Sequence, residues 1–142
     1  METIEINDEI LKTIYRAIKT AVAYEKLTGR KLGITGEVGE VLVCRRLGLK
    51  LAADPLFAGC DATDDMGKCY QIKTRRVDHA RGRTGIFSKH LFDQAILAIL
   101  DTGYKIAELY SADFDKINPF IDQAPRRNPS LRQFKAVADK IL

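Results

Sequence analysis

The order of segments along the chain predicts an α/β or α+β domain built on one modest sheet. Two amphipathic helical stretches open the sequence, and short strand-like segments separated by turn-rich runs follow before further helices close it. A chain of 142 residues makes a single domain, 1–142. That length buries about 68–70% of its unfolded surface without needing a disulfide or a metal.

Asn7 or Asp8 caps a first helix, placed at 7–27, with Leu11, Ile14, Tyr15, Ile18 and Val22 on one face. Thr28-Gly29-Arg30 ends it, and a second helix opens at Thr35-Gly36 and stops at Gly48. Leu49 to Ala53 alternates as a strand does, and Pro55 breaks it. Cys60–Thr63 and Lys68–Thr74 flank Asp64-Asp65-Met66-Gly67, which predicts a hairpin centred on Met66. Residues 75–89 carry two glycines and many cations and are expected to be a loop. Phe92–Leu100 and Tyr104–Tyr110 suggest a second hairpin around Asp101-Thr102-Gly103, although 89–100 also fits a helix. A core over 33–111 is then followed by helices within 112–142, one over Asp113–Ile121 and one over Ser130–Leu142.

The longest wholly apolar run is Ala95 to Leu100, far short of the roughly 20 residues that cross a bilayer, so no membrane span is expected. An acidic start, Met-Glu-Thr-Ile-Glu-Ile-Asn-Asp-Glu, is not a signal or transit peptide, and the expected location is cytoplasmic. Cys44, Cys60 and Cys69 lack zinc-binding spacing and are expected as buried small hydrophobes in a reducing compartment. Net charge is only +4, but from Lys68 to Phe92 seven cations face one acid, Asp78. A merely soluble surface mixes its signs, so this block points to a polyanionic partner.

Gly33, Gly36 and Gly39 recur every third residue, yet neither phosphate-loop nor dinucleotide fingerprint is present. Glycines at a loop-to-helix junction are expected to serve close packing. No nucleophile elbow occurs, and His79 and His90 are expected as phosphate contacts or bystanders. Gln71 and Lys73 share a strand face, and a hairpin centred on Met66 sets Asp61 opposite Gln71. An acid, an amide and an ammonium on one face suit either a site for a hard cation or an ordinary solvated Asp–Lys pair.

Gly36-Glu37 opening a helix, Gly48-Leu49-Lys50-Leu51 after it, Gly59-Cys60-Asp61 and Tyr70-Gln71-Ile72-Lys73 together resemble the PD-(D/E)XK nuclease superfamily. The resemblance covers Gly36 to Thr74, and Gln71 stands where the third motif usually has an acid. It implies a restriction-endonuclease-like core: a small mixed sheet of about four to five strands flanked by helices. It also implies Mg²⁺- or Mn²⁺-dependent hydrolysis of phosphodiester bonds, in DNA rather than RNA. Glu37, Asp61, Gln71 and Lys73 would be the catalytic set, with metal at Asp61, Glu37 and Gln71 and a lesser place for Glu40. Glu37 ranks above Glu40 because it lies eleven residues before Gly48, the family's spacing. Arg75, Arg76, Arg81, Arg83 and Lys89 would hold flanking phosphates. The alternative is a catalytically inactive nucleic-acid-binding module on the same fold. A third class is an assembly protein, with the first and last helices as a homodimer interface.

Overall fold

The structure, a computed structural model, describes residues 1–57, 59–79 and 81–142, with His79 described by its backbone alone. One mixed sheet of seven strands runs in sequence order. Its first three strands are β1 (Thr3–Glu5), β2 (Lys50–Ala52) and β3 (Ala62–Thr63), and the next three are β4 (Cys69–Arg76), β5 (Gln94–Leu100) and β6 (Ile106–Asp113). The last, β7 (Asp139–Lys140), pairs with β6. Only β4 and β5 are parallel; the other neighbours are antiparallel. Helices α1 (Asp8–Thr28) and α2 (Thr35–Leu47) pack on one face of the sheet, and α3 (Phe114–Gln123) and α4 (Leu131–Val137) pack on the other.

A side-chain cap starts α1, and a glycine stops each of the first two helices. The Asn7 side chain accepts from the Ile10 N–H at 2.8 Å. Gly29 and Gly48 terminate α1 and α2 at φ +71° and +68°, the left-handed region that glycine enters freely. Strand β5 is the apolar run Ala95–Leu100, and both of its faces are covered. Ala95, Leu97 and Ile99 meet α3 and α4, whereas Ile96 and Ala98 meet the α2 side. Burial on both sides removes the alternation that marks a strand, which is why this segment also fitted a helix.

Two edges of the sheet correct the expectation of four to five strands. β1 lies ahead of the first helix and borders β2, and β7 takes the end of the chain. The expected helix over Ser130–Leu142 therefore stops at Val137. A capping box at Ser130 and Gln133 starts it, and the chain then turns so that Asp139 and Lys140 cover the outer edge of β6. Backbone groups on an uncovered sheet edge need partners, and here the chain end supplies them. The stretch 75–89 also starts differently from expected, since Arg75 and Arg76 continue β4 before a 3₁₀ turn at Val77–His79. The crossover from β4 to its parallel neighbour β5 carries no α-helix among the described residues.

Most of the apolar side chains expected on the first and last helices are taken up inside the fold, whereas Tyr15 and Ile141 stay exposed. Ile10, Leu11, Ile14, Ile18 and Val22 of α1 pack into the cores under α2, and Leu131 and Phe134 of α4 are buried under β6. Among the described residues, no helix is long and apolar enough to cross a membrane.

Of the three glycines spaced by three, one serves close packing. A Cβ on Gly39 would lie 1.9 Å from Thr74 Oγ1, whereas one on Gly33 or Gly36 would meet nothing within 4 Å. Gly39→Ala should therefore cost roughly 1–3 kcal/mol through overpacking. Gly36→Ala should be neutral or stabilise by about 0.5 kcal/mol. Urea denaturation of both variants checks this; equal stabilities would show that α2 does not depend on that contact.

Candidate functional site

The site forms where β3 parts from β4. The two strands pair only at Ala62↔Tyr70 and Thr63↔Cys69, the register a hairpin centred on Met66 produces. Asp61 sits one residue outside the ladder. Its N–H donates to the Tyr70 carbonyl at 2.9 Å, and its Oδ2 accepts from the Ile72 N–H at 2.8 Å. The carboxylate thus takes the place of a missing strand partner, and among the described residues that edge of β4 has no strand beside it beyond Tyr70. Asp61 Oδ1 has no hydrogen-bond partner among the described residues.

Helix α2 brings two acids over this open edge. Glu37, in its first turn, is exposed, and Glu40 is half-buried beside the strand. Burial, the nearby Asp61 and then Glu37 push the Glu40 carboxyl up to about 7, with Lys73 pulling the other way. Burial also raises Asp61 above the usual carboxylate range, against the Ile72 N–H and Lys73. Lys73 is lowered by burial and by Arg75, while Asp61 and Glu40 oppose that. The field linking α2 to Asp61 and Lys73 therefore runs through Glu40, which the spacing argument ranked below Glu37. Spacing to Gly48 locates the helix but cannot tell which of two acids on one face is turned inward.

Lys73 stands over the crossover segment. Its Nζ donates to the Ile86 carbonyl at 2.8 Å and lies 4.8 Å from the centre of the Phe87 ring. It forms no ion pair with either carboxylate among the described residues. Gln71 is 4% exposed, and its Nε2 has no hydrogen-bond partner among the described residues. Asp61, Gln71 and Lys73 line one cleft of about 310 Å³ with Phe57 and Phe87. Glu37, Glu40 and Asp61 line an adjoining one of about 230 Å³ together with Asp54, a residue sequence reasoning missed. Asp54 precedes Pro55 and accepts from the Leu56 N–H at 2.9 Å, so its only sequence signal is that of an ordinary turn.

The basic residues divide into two groups. Arg76 is 3% exposed and does not face solvent. Its guanidinium pairs with Glu25 at 2.8 Å, donates to Tyr104 Oη and the Thr102 carbonyl, and lies 3.6 Å from Asp78. It ties α1 to the β5–β6 turn, which corrects its expected role as a phosphate contact. Arg81, Arg83 and Lys89 are exposed, and Arg75 is half-buried, donating to the Arg83 carbonyl at 3.0 Å. The side chain of His79 lies outside the described residues. His90 shares a hydrogen bond with Ser88 Oγ at 2.8 Å and touches the loop before Asp61. Gly59 permits that contact: it has φ +74°, and a Cβ there would lie 2.6 Å from His90 Cβ.

Cys60 and Cys69 form a disulfide pair across the hairpin, with Cα atoms 5.3 Å apart, and only Cys44 is the buried free thiol expected. The bend at Asp61 brings the two together, and a separation of nine residues does not reveal it. Among the described residues, no three His, Cys, Asp or Glu side chains form a ready-made metal cage.

The raised Glu40 carboxyl fixes the sign of a pH effect. From about pH 4.5 to 7 the folded protein keeps a proton on Glu40 that the unfolded chain releases, so stability falls as pH rises through that window. Glu40→Gln should melt several degrees above the wild type at about pH 8, and the difference should vanish below about pH 4. Thermal melts at both pH values check it, and a gap of equal size at both would remove Glu40 from the cluster.

No protein-family model matches the chain and no curated protein matches it, so the character of the site rests on the geometry of Glu40, Asp61, Gln71 and Lys73.

Proposed function

We propose that the protein is a metal-dependent nuclease of PD-(D/E)XK type, hydrolysing phosphodiester bonds of DNA. The supporting observation is that Glu40, Asp61 and Lys73 lie within one another's fields at the open edge of β4. The exposed Arg81, Arg83 and Lys89 follow on the crossover segment.

The donor set suits Mg²⁺ or Mn²⁺, which take oxygen ligands and often only one or two carboxylates, with water completing the shell. Asp61 Oδ1 has no hydrogen-bond partner among the described residues, Glu40 is a half-buried carboxyl crowded by Asp61, and Gln71 lines the same cleft as Asp61 and would offer its amide oxygen. These three would hold the ion, with Glu37 at the exposed margin. When bound there, such an ion would lower the pKa of a coordinated water and polarise a phosphate oxygen. The chain's own residues do the rest. The Ile72 N–H fixes the Asp61 carboxylate, and the Ile86 carbonyl and Phe87 ring hold the Lys73 ammonium. Placed there, Lys73 orients the attacking water and stabilises the charge that gathers on the phosphate oxygens. Arg81, Arg83 and Lys89, joined by Arg75, hold neighbouring phosphates.

The second reading is a binding module that does not cleave, favoured by Gln71 in the position of the third acid. Cleavage assays of plasmid, single-stranded DNA and RNA with Mn²⁺ separate the two. The wild type should cut DNA, and Lys73→Ala should lose at least about a hundredfold in turnover while still binding. Binding without cleavage establishes the module. Mn²⁺ should also raise the melting temperature of the wild type by mass action and leave Asp61→Ala unchanged. Equal shifts in both would place the metal elsewhere.

Salt dependence tests the contact surface. Replacing Arg75, Arg81, Arg83 and Lys89 by Ala should flatten the slope of log affinity against log salt by about three to four. Arg76→Ala should instead lose roughly 3 kcal/mol of stability, because it breaks a buried ion pair. An unchanged slope in the quadruple variant would leave these cations with no role beyond solubility.

A further inference from the structure

Three large apolar side chains stand exposed around the cleft that contains Asp61 and Lys73. Leu56 is 88% exposed, Phe57 45% and Ile86 55%, and all three line that one cleft of about 310 Å³. They come from the two segments that border it, the turn after Asp54 and the crossover segment. Exposed apolar residues scattered singly need no explanation, whereas several gathered at one cleft point to a binding groove.

Neither segment is a loose end. Asp54 closes its turn, its side chain accepting from the Leu56 N–H at 2.9 Å and its carbonyl from the Phe57 N–H at 3.0 Å. On the other segment the Ile86 carbonyl accepts from Lys73 at 2.8 Å, and the Phe87 N–H donates to the Arg127 carbonyl at 2.9 Å. The backbone is thus held on both sides while Leu56, Phe57 and Ile86 keep apolar area in water. Phe87 differs from them: it is buried, stacked on Phe92 and covered by the Lys73 ammonium.

The charge around the cleft selects the kind of apolar group that fits. Lys73 lines it, Lys89 follows Ser88 on its rim, and neither forms an ion pair among the described residues. Glu37, Glu40 and Asp54 line the adjoining cleft instead. An apolar peptide, or a second copy of the chain, would cover the Lys73 ammonium without supplying a counter-charge, which is costly. A nucleotide brings a flat apolar ring and an anion on one unit, and basic grooves bearing aromatic side chains hold single strands in this way.

We propose that Phe57, flanked by Leu56 and Ile86, stacks on an unpaired base of a nucleic-acid strand whose phosphate lies at Asp61 and Lys73. The assignment rests on the nucleic-acid reading given above and adds the substrate class, a single-stranded or locally unpaired segment. A base inside a duplex keeps its faces against its neighbours and reaches such a seat only by leaving the stack. Stacking uses the face of the ring and not its hydrogen-bonding edge, so the seat takes any base.

The test compares a thymidine oligonucleotide with an abasic strand of equal length, both bound in EDTA at low, constant ionic strength. The two carry the same phosphates and differ only in their bases. The wild type should bind the thymidine strand at least about fivefold more tightly. Phe57→Ala should lose most of that preference, bind the abasic strand as the wild type does, and melt close to the wild type, because the side chain is largely in solvent. The chain has no tryptophan, so Phe57→Trp introduces a single reporter, whose fluorescence should fall on the thymidine strand and not on the abasic one. The proposal is overturned if the wild type binds the two strands alike, or if Phe57→Ala keeps the full preference. It is also overturned if Phe57→Ala changes the oligomeric state in analytical ultracentrifugation and not the preference, which would make the patch an interface between copies of the chain. A wild type that binds neither strand overturns the seat together with the nucleic-acid reading. A base preference carried by Phe57 in a protein that never cuts DNA with Mn²⁺ would sink the nuclease and leave the seat standing.

Discussion

The approach of α2 to β4 at Gly39 and Thr74 is the constraint from which the rest of the site follows. A helix with any side chain at that position would be held off the strand, because the space is already filled by Thr74. At this separation Glu40, the next residue along the helix, comes within the field of Asp61 and Lys73. The start of α2 meets the open edge of β4 for the same reason. A shift of an ångström here would alter the electrostatics of the cluster, since Coulomb energy varies inversely with distance and is screened less in a half-buried setting than at the surface.

Cations in this protein do two unlike things. Arg76 is desolvated and engaged by Glu25, Asp78, Tyr104 and Thr102, so its charge is spent within the fold. Its neighbour Arg75 points to the opposite face of β4 and reaches the crossover segment. The turn partner of Arg76, Tyr104, is itself held at φ +65°, an uncommon conformation for a bulky residue. That conformation is maintained by the buried position of the ring and by its hydrogen bond to the guanidinium.

What the sequence reveals depends on how local the cause is. The caps at Asn7, Gly29 and Gly48, and the turns at Asp64–Gly67 and Asp101–Gly103, act over a few residues, and the elements they bound lie within a residue or two of expectation. β1 and β7 are short, exposed and chosen by a distant partner, so nothing in their own residues marks them. The site shows the same division. Asp61, Gln71 and Lys73 are brought to one cleft by the hairpin register, which is legible. The precedence of Glu40 over Glu37, the withdrawal of Arg76 into the interior and the pairing of Cys60 with Cys69 are set by tertiary burial. A sequence carries charge and spacing openly, but it does not carry exposure.

The contact between Gly59 and His90 has a consequence for how anything enters the cleft. It packs the loop that leads into Asp61 closely against the crossover segment that holds Lys73, so the two banks of the opening lie against each other in the folded chain. Ordering such loops after a ligand arrives would subtract from affinity, and here that entropy has been lost beforehand. The entrance behaves as a preformed slot rather than a closing jaw. For a slot of this kind, entry depends on the direction of approach rather than on a loop opening first.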